Sequence, residues 1–335
     1  MSIIQRLIFL LLFAPAETLC AQTVVGTIDL YGPDLVSRQR ILSMLSLKEG
    51  DTLRIRTDSL EKQLLLLHGI KAANVEAVCC TEGKFSLFIG IDSIALSSSP
   101  GRHTRGLLLP DTVQKLYAGY IEALKRAVAA GESEDDLSEG HSLMKSEMVR
   151  SIQEIFIPFA NSYFNRLSAI LLSSSHAEQR AIAATVIAYA NGKAAVAKLY
   201  QEALQDPDPG VRNNVLWALT GLAIYGQQHP ETKVVVPATI FVSLLHSVHW
   251  TDRNKALFCL MTLTENKDEV LYSALKAKAV PALLQMSQWH SKSHAFMPYM
   301  ILGRLLGIKD EKIFQSWQDG KFDVVWKEAE KSFTR

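Results

Sequence analysis

Two hydrophobic periods divide this chain. Near the amino end the period is two: Thr23–Tyr31 is a β-branched run, and Phe85, Leu87, Ile89 and Ile91 alternate with Ser86, Phe88, Gly90 and Asp92. Alternation of this kind predicts strands with one apolar face. Val75–Cys80 reads as a further strand, joined to the last by Thr81-Glu82-Gly83-Lys84. Two short helical patterns lie between them. Ser37 stands where it can cap a helix carrying Ile41, Leu42 and Leu45, and Asp58 and Glu61 have capping-box spacing before Leu60, Leu64 and Leu67, with Gly69 just past the end. The predicted order over 23–93 is β-α-α-β-β.

Beyond a Ser/Pro/Gly-rich stretch, Ser97–Gly101, the period becomes helical. Residues 94–110 read as a linker and 111–168 as a helical entry hairpin. Asp111 precedes Val113, Leu116, Tyr117, Tyr120, Leu124 and Val128, and Gly131 ends that pattern. A second pattern runs through Met148, Ile152, Ile155, Phe159, Tyr163 and Leu167, with Pro158 expected to kink or split it. Between them lies the most polar segment, GESEDDLSEGHSL, expected to be a solvated loop in which Ser142 caps the next helix.

From residue 169 the pattern repeats. LLSSSHAEQR (171–180), ALQDPDPGVR (203–212), LLHSVHWTDR (244–253) and LLQMSQWHSK (283–292) each open on an apolar pair and close on a cation: Arg180, Arg212, Arg253, Lys292. A small or β-branched residue follows three positions later and a large one seven later. A period of about forty residues is the signature of stacked helix pairs, none of which buries its apolar face alone. The repeats are assigned to 169–310. Residues 311–335, with Trp317, Phe322 and Trp326, read as a terminal cap.

Composition narrows the function. Charged residues make up 21% of the 335-residue chain and the formal net charge is +1, so no basic field for nucleic acid is implied. Residues 1–21 read as a secretory signal peptide: Arg6, an apolar run over Leu7–Ala14, then Leu19-Cys20-Ala21 ahead of Gln22. Leu19 disfavours lipidation at Cys20, and no second run is long enough to span a membrane in the mature chain. Cys79, Cys80 and Cys259 form no disulfide framework. We find no nucleophile elbow, phosphate-binding glycine loop or zinc spacing, so no enzyme and no cofactor is expected. Asp135, Asp136 and His141 are weak metal candidates, carboxylates with a nearby imidazole. His246, His249, His290 and His294 read as solvated or hydrogen-bonded, and Trp217, Trp250 and Trp289 as packing residues, the last two at matching places in their copies.

The turn Asp206-Pro207-Asp208-Pro209-Gly210-Val211-Arg212 resembles that of HEAT or armadillo-like repeats, HEAT more closely. The resemblance implies an all-α superhelical solenoid in which Arg180, Arg212 and Arg253 form a structural ladder with Asp206. Residues 23–93 resemble the POTRA (polypeptide-transport-associated) domain through Ile28…Gly32, Ser37…Ile41…Leu45, Leu47…Gly50-Asp51, Leu60…Leu67…Ile70 and Leu87-x-Ile89-x-Ile91-Asp92. That likeness implies a periplasmic or envelope setting and peptide capture by strand addition along Val75, Glu76, Ala77, Val78, Cys79 and Cys80. The fold class expected is α+β. The function expected is an exported, non-enzymatic scaffold that binds a protein or peptide through the solenoid groove and that edge, with association with the outer membrane or an envelope complex left open. The alternatives are an accessory enzyme or metal-dependent protein using the acidic loop 132–141, and a purely structural envelope component.

Overall fold

The computed structural model describes residues 24–81, 83–95 and 106–333. The expected signal peptide, Cys20 and residues 96–105 of the linker lie outside these. Within the described residues the chain divides into two compact units, one made of 106–238, the other of 24–95 together with 239–333.

The second unit begins with a three-stranded sheet, β1 (Val25–Tyr31), β2 (Ala72–Thr81) and β3 (Lys84–Asp92), in the order β1-β3-β2. Central β3 pairs parallel with β1 and antiparallel with β2, Leu30 opposite Ile89 and Val75 opposite Ile89. Helices α1 (Arg38–Leu45) and α2 (Thr57–Leu64) cover one face. Val25, Ile28, Val75, Phe85, Leu87, Ile89 and Ile91 meet Ile41, Leu45, Leu60 and Leu64 there, in a core formed wholly by residues 25–91. Ser37 caps α1 as expected, accepting from the Arg40 N–H. The expected capping box of α2 does not form. Its N-cap is Arg56, and the Glu61 carboxylate instead accepts from the Val75 N–H (2.8 Å) and the Asn74 carboxamide (3.2 Å) of β2.

The sheet's other face carries Ser86, Phe88 and Gly90. It is also buried, so β3 is enclosed on both sides although its alternation suggested a single apolar face. What covers it is the carboxyl-terminal part of the same unit. There, α9 (Thr239–Leu244) pairs with α10 (Trp250–Leu263), and α12 (Val280–Ser287) with α13 (Lys292–Leu305), with α11 (Glu269–Lys278) between the pairs. Two closing helices, α14 (Asp310–Gln318) and α15 (Asp323–Phe333), pack on α13. Tyr299 of α13 meets Trp317 at 5.0 Å and Phe322 at 6.1 Å, and the Trp326 indole N–H donates to Ser287 Oγ, as a terminal cap requires.

The first unit contains α3 (Asp111–Ala129), a hairpin of β4 (Asp135–Asp136) and β5 (Leu143–Met144), α4 (Glu147–Ser162), then two helix pairs: α5 (Phe164–Ser173) with α6 (Ala177–Ile187), and α7 (Lys193–Ala203) with α8 (Pro209–Gln228). Pro158 is absorbed inside α4, and the chain breaks five residues later at Tyr163. The segment expected to be a plain solvated loop is thus a short antiparallel hairpin, Asp135 opposite Met144. No helix is long and apolar enough to cross a membrane among the described residues.

Candidate functional site

Three of the four repeat turns share one local device. The arginine at the start of the second helix folds back onto the carbonyl six residues before it. Arg180 donates to Ser174 O (2.8 Å), Arg212 to Asp206 O (2.9 Å) and Arg253 to Ser247 O (2.5 Å). A guanidinium can do this while its fork remains free for a second partner. Arg180 also uses its fork on the next repeat, making a bidentate pair with Asp206 at 2.6 and 2.9 Å with both side chains buried. That pair is one rung of the expected inter-repeat ladder, and Arg180, Arg212 and Arg253 each staple their own turn. Lys292, at the same place in the fourth copy, lies over the Phe322 ring (4.7 Å) with Trp317 and Trp326 about it at 6.0 and 5.9 Å.

The turns differ in how the second helix is capped. In the second copy the chain supplies its own acid, with Asp208 Oδ1 accepting from the Val211 N–H at 3.0 Å. The N-caps of α10 and α13, His249 and Ser291, make no such side-chain bond. Their acids come from the sheet. Asp29 of β1 accepts from the N–H groups of His290 (2.6 Å) and Ser291 (2.9 Å), and Glu76 of β2 from that of Thr251 (3.4 Å). Both carboxylates sit at a positive helix end, where charge and orphan N–H donors favour them. Burial nevertheless raises both: Asp29 moves up, and Glu76, with Asp252 and Glu61 also raising it, reaches about 7.

Apolar and neutral polar contacts complete this docking face. Phe88 inserts among Trp250, Trp289 and His294, with each ring centroid 5.0 Å away. Tyr31 donates to Val248 O (2.9 Å) beneath the Arg253 guanidinium, 4.5 Å from its ring. The Gly32 peptide and the Gln285 carboxamide bond reciprocally at 3.1 and 3.0 Å. Both glycines here are required. Gly32 has φ +110°, and a Cβ at Gly90 would stand 2.1 Å from Val248 O. A run of hydroxyls crosses the same face, from Thr27 to Ser86 (2.9 Å), Ser291 (3.0 Å) and His294 Nδ1 (2.8 Å). Burial in this setting pushes the His294 imidazole down to about 3, so it is neutral over the ordinary pH range. At the rim, His290 Nδ1 lies 2.7 Å from Glu49 Oε1.

In the first unit the hairpin lies against the repeat helices. Gly140 meets Tyr225 and Gly221 of α8, and Gln114 of α3 accepts from the Gln179 carboxamide of α6 at 2.9 Å. The inward row of these second helices, expected to offer a groove, is covered here by the chain itself. The metal candidates do not converge. As strand neighbours, Asp135 and Asp136 face opposite ways. Asp136 Oδ1 accepts from the Ser138 N–H near the surface, whereas Asp135 Oδ2 takes the Ser142 hydroxyl at 2.6 Å. That bond also removes Ser142 from its expected capping role. His141 is held through Nδ1, 2.8 Å from the Lys193 ammonium and 3.0 Å from Glu139 O. No group of three or more His, Cys, Asp or Glu that could hold a metal occurs among the described residues. Burial sets all three groups: Asp135 is raised to about 7, His141 is lowered to about 4 with Lys193 adding to desolvation, and Lys193 is lowered to about 8.

The candidate strand-addition edge is an outer strand, as Val75–Cys80 requires, and Ala77 is exposed. Part of it is already engaged, since Glu61 takes the Val75 N–H and Glu76 turns to the docking face. Asp29, Phe88 and Lys193 were missed as site residues by sequence reasoning, and Glu76 was read only as part of the strand-addition edge. A carboxylate inside an apolar strand (Asp29) and a lone aromatic among small residues on the polar face (Phe88) were the available signals.

A family model for HEAT repeats matches residues 164–236, which span α5 to α8 and their turns. No curated protein and no solved structure matches the chain.

Proposed function

We propose that the chain is an exported, non-enzymatic scaffold that binds a protein or peptide partner. The observation that carries this reading is the HEAT-repeat match over 164–236, since HEAT repeats in general mediate protein interactions. The repeating turn staples support it, because they stiffen a stack of helices without placing any reactive group. With the inner row of α6 and α8 covered by α3 and the hairpin, a partner of this unit is directed to the outward first helices, α5 and α7. The POTRA resemblance supplies a second contact, strand addition along the free part of β2 from Ala77 to Cys80.

The test is cross-linking of the tagged full chain in envelope extract, with the cross-linked residues mapped. A stoichiometric protein partner joined through α5, α7 or β2 is the expected result. Absence of any such partner, with peptides leaving β2 amide exchange unchanged, ends the reading. Export is tested separately: sequencing of the mature chain is expected to start at Gln22.

A further inference from the structure

The docking face between the sheet and the last two repeats has the construction of a contact between two finished pieces. The hydrophobic cluster of the sheet module is closed by residues 25–91 alone, so none of its core waits for α10 or α13. The docked face is a different surface of the same sheet. It holds Asp29, Tyr31, Glu76, Ser86, Phe88 and the Gly32 peptide, and nearly every one meets its counterpart through a polar group that water can also satisfy. One aromatic ring, Phe88, makes the main apolar insertion. Glu76 is buried beside Asp252 and Glu61, an arrangement that burdens the docked state with an unfavourable carboxylate.

We propose that the sheet module undocks as a folded body from the amino ends of α10 and α13, uncovering a receptor made of these two helix amino ends with Trp250 and Trp289 between them. In the docked state Asp29, Glu76 and Phe88 are its resident ligand, so its chemistry suits an acidic segment that also carries an aromatic side chain. This proposal does not depend on the scaffold reading, because it concerns only how the chain closes on itself.

Hydrogen exchange on the full chain tests it. Sub-global opening makes the N–H groups of Trp250, Thr251, His290 and Ser291 exchange at least about tenfold faster than the β1–β3 ladder. Gly90→Ala drives a methyl group toward Val248 O and the Tyr31 ring, both on the docked face of the sheet. Its expected effect is loss of protection at those four positions with the ladder and α2 still protected. Phe88→Ser, which removes the insertion without touching the inner core, is expected to give the same split to a smaller degree. Equal protection of both sets in the parent chain, or their joint loss in both variants, overturns the proposal by showing one cooperative body.

Discussion

At the recurring cation position, Arg180 holds a buried acid. Removing its side chain leaves the Asp206 carboxylate without its fork partner, a change that costs about 3–5 kcal/mol in comparable settings. Urea denaturation of Arg180→Ala is therefore expected to show a loss of that size against the parent chain. Titration separates two further residues. His294, at about 3 against an ordinary 6.5, excludes a proton when folded; its contribution to stability is full above 6.5 and is lost as pH falls toward 3. Glu76, at about 7 against an ordinary 4.5, behaves oppositely: its contribution is full below 4.5 and is lost as pH rises through 7. Between 4.5 and 6.5 the two oppose each other. Glu76→Gln removes one side of that balance, so its denaturation midpoint is expected to fall more steeply than the parent's on acidification from pH 6.5 to 4.5. The recurring cation was legible in the sequence. The partner it chooses was not, because a carbonyl six residues back leaves no mark on residue type.

At the scale of elements, the second helices were visible through their period and turns, and the structure places them within a few residues of expectation. α8, for instance, starts at Pro209 within the Asp206–Arg212 turn read from the sequence. Their surroundings were less visible. A helix enclosed on every side has no polar face, so α10, in which Asp252, Arg253, Asn254 and Lys255 are all buried, gives no clear amphipathic signal. The acidic hairpin was misread for the converse reason. Its composition is that of a solvated loop, but in the interior Asp135 Oδ2 accepts from the Ser142 hydroxyl, which accepts in turn from the Gln153 carboxamide. Asp135→Asn retains the shape and removes the titration. The parent, whose Asp135 favours the proton when folded, is expected to lose stability between pH 5 and 8 relative to the variant, as read by thermal unfolding at the two pH values.

Across the whole molecule, the division into repeats and a preceding sheet was readable, whereas the return of the sheet to the end of the chain was not. Asp29 finds its helix end 262 residues away at Ser291, and no local pattern encodes such a pairing. Ending the chain at Ala238 removes Val248, Trp250, Arg253, Trp289 and His294, which meet Phe88 and Tyr31 on the docked face. The truncated protein is expected to bind the apolar dye ANS strongly while the full chain does not.

That long return has a consequence for biosynthesis. At about 5–20 residues added per second, the sheet leaves the ribosome many seconds before Trp250, Trp289 and Ser291 exist to receive it. Throughout that interval the nascent chain shows Phe88 and Tyr31 to its surroundings, so the half-made protein is the form in which a chaperone has a surface to hold.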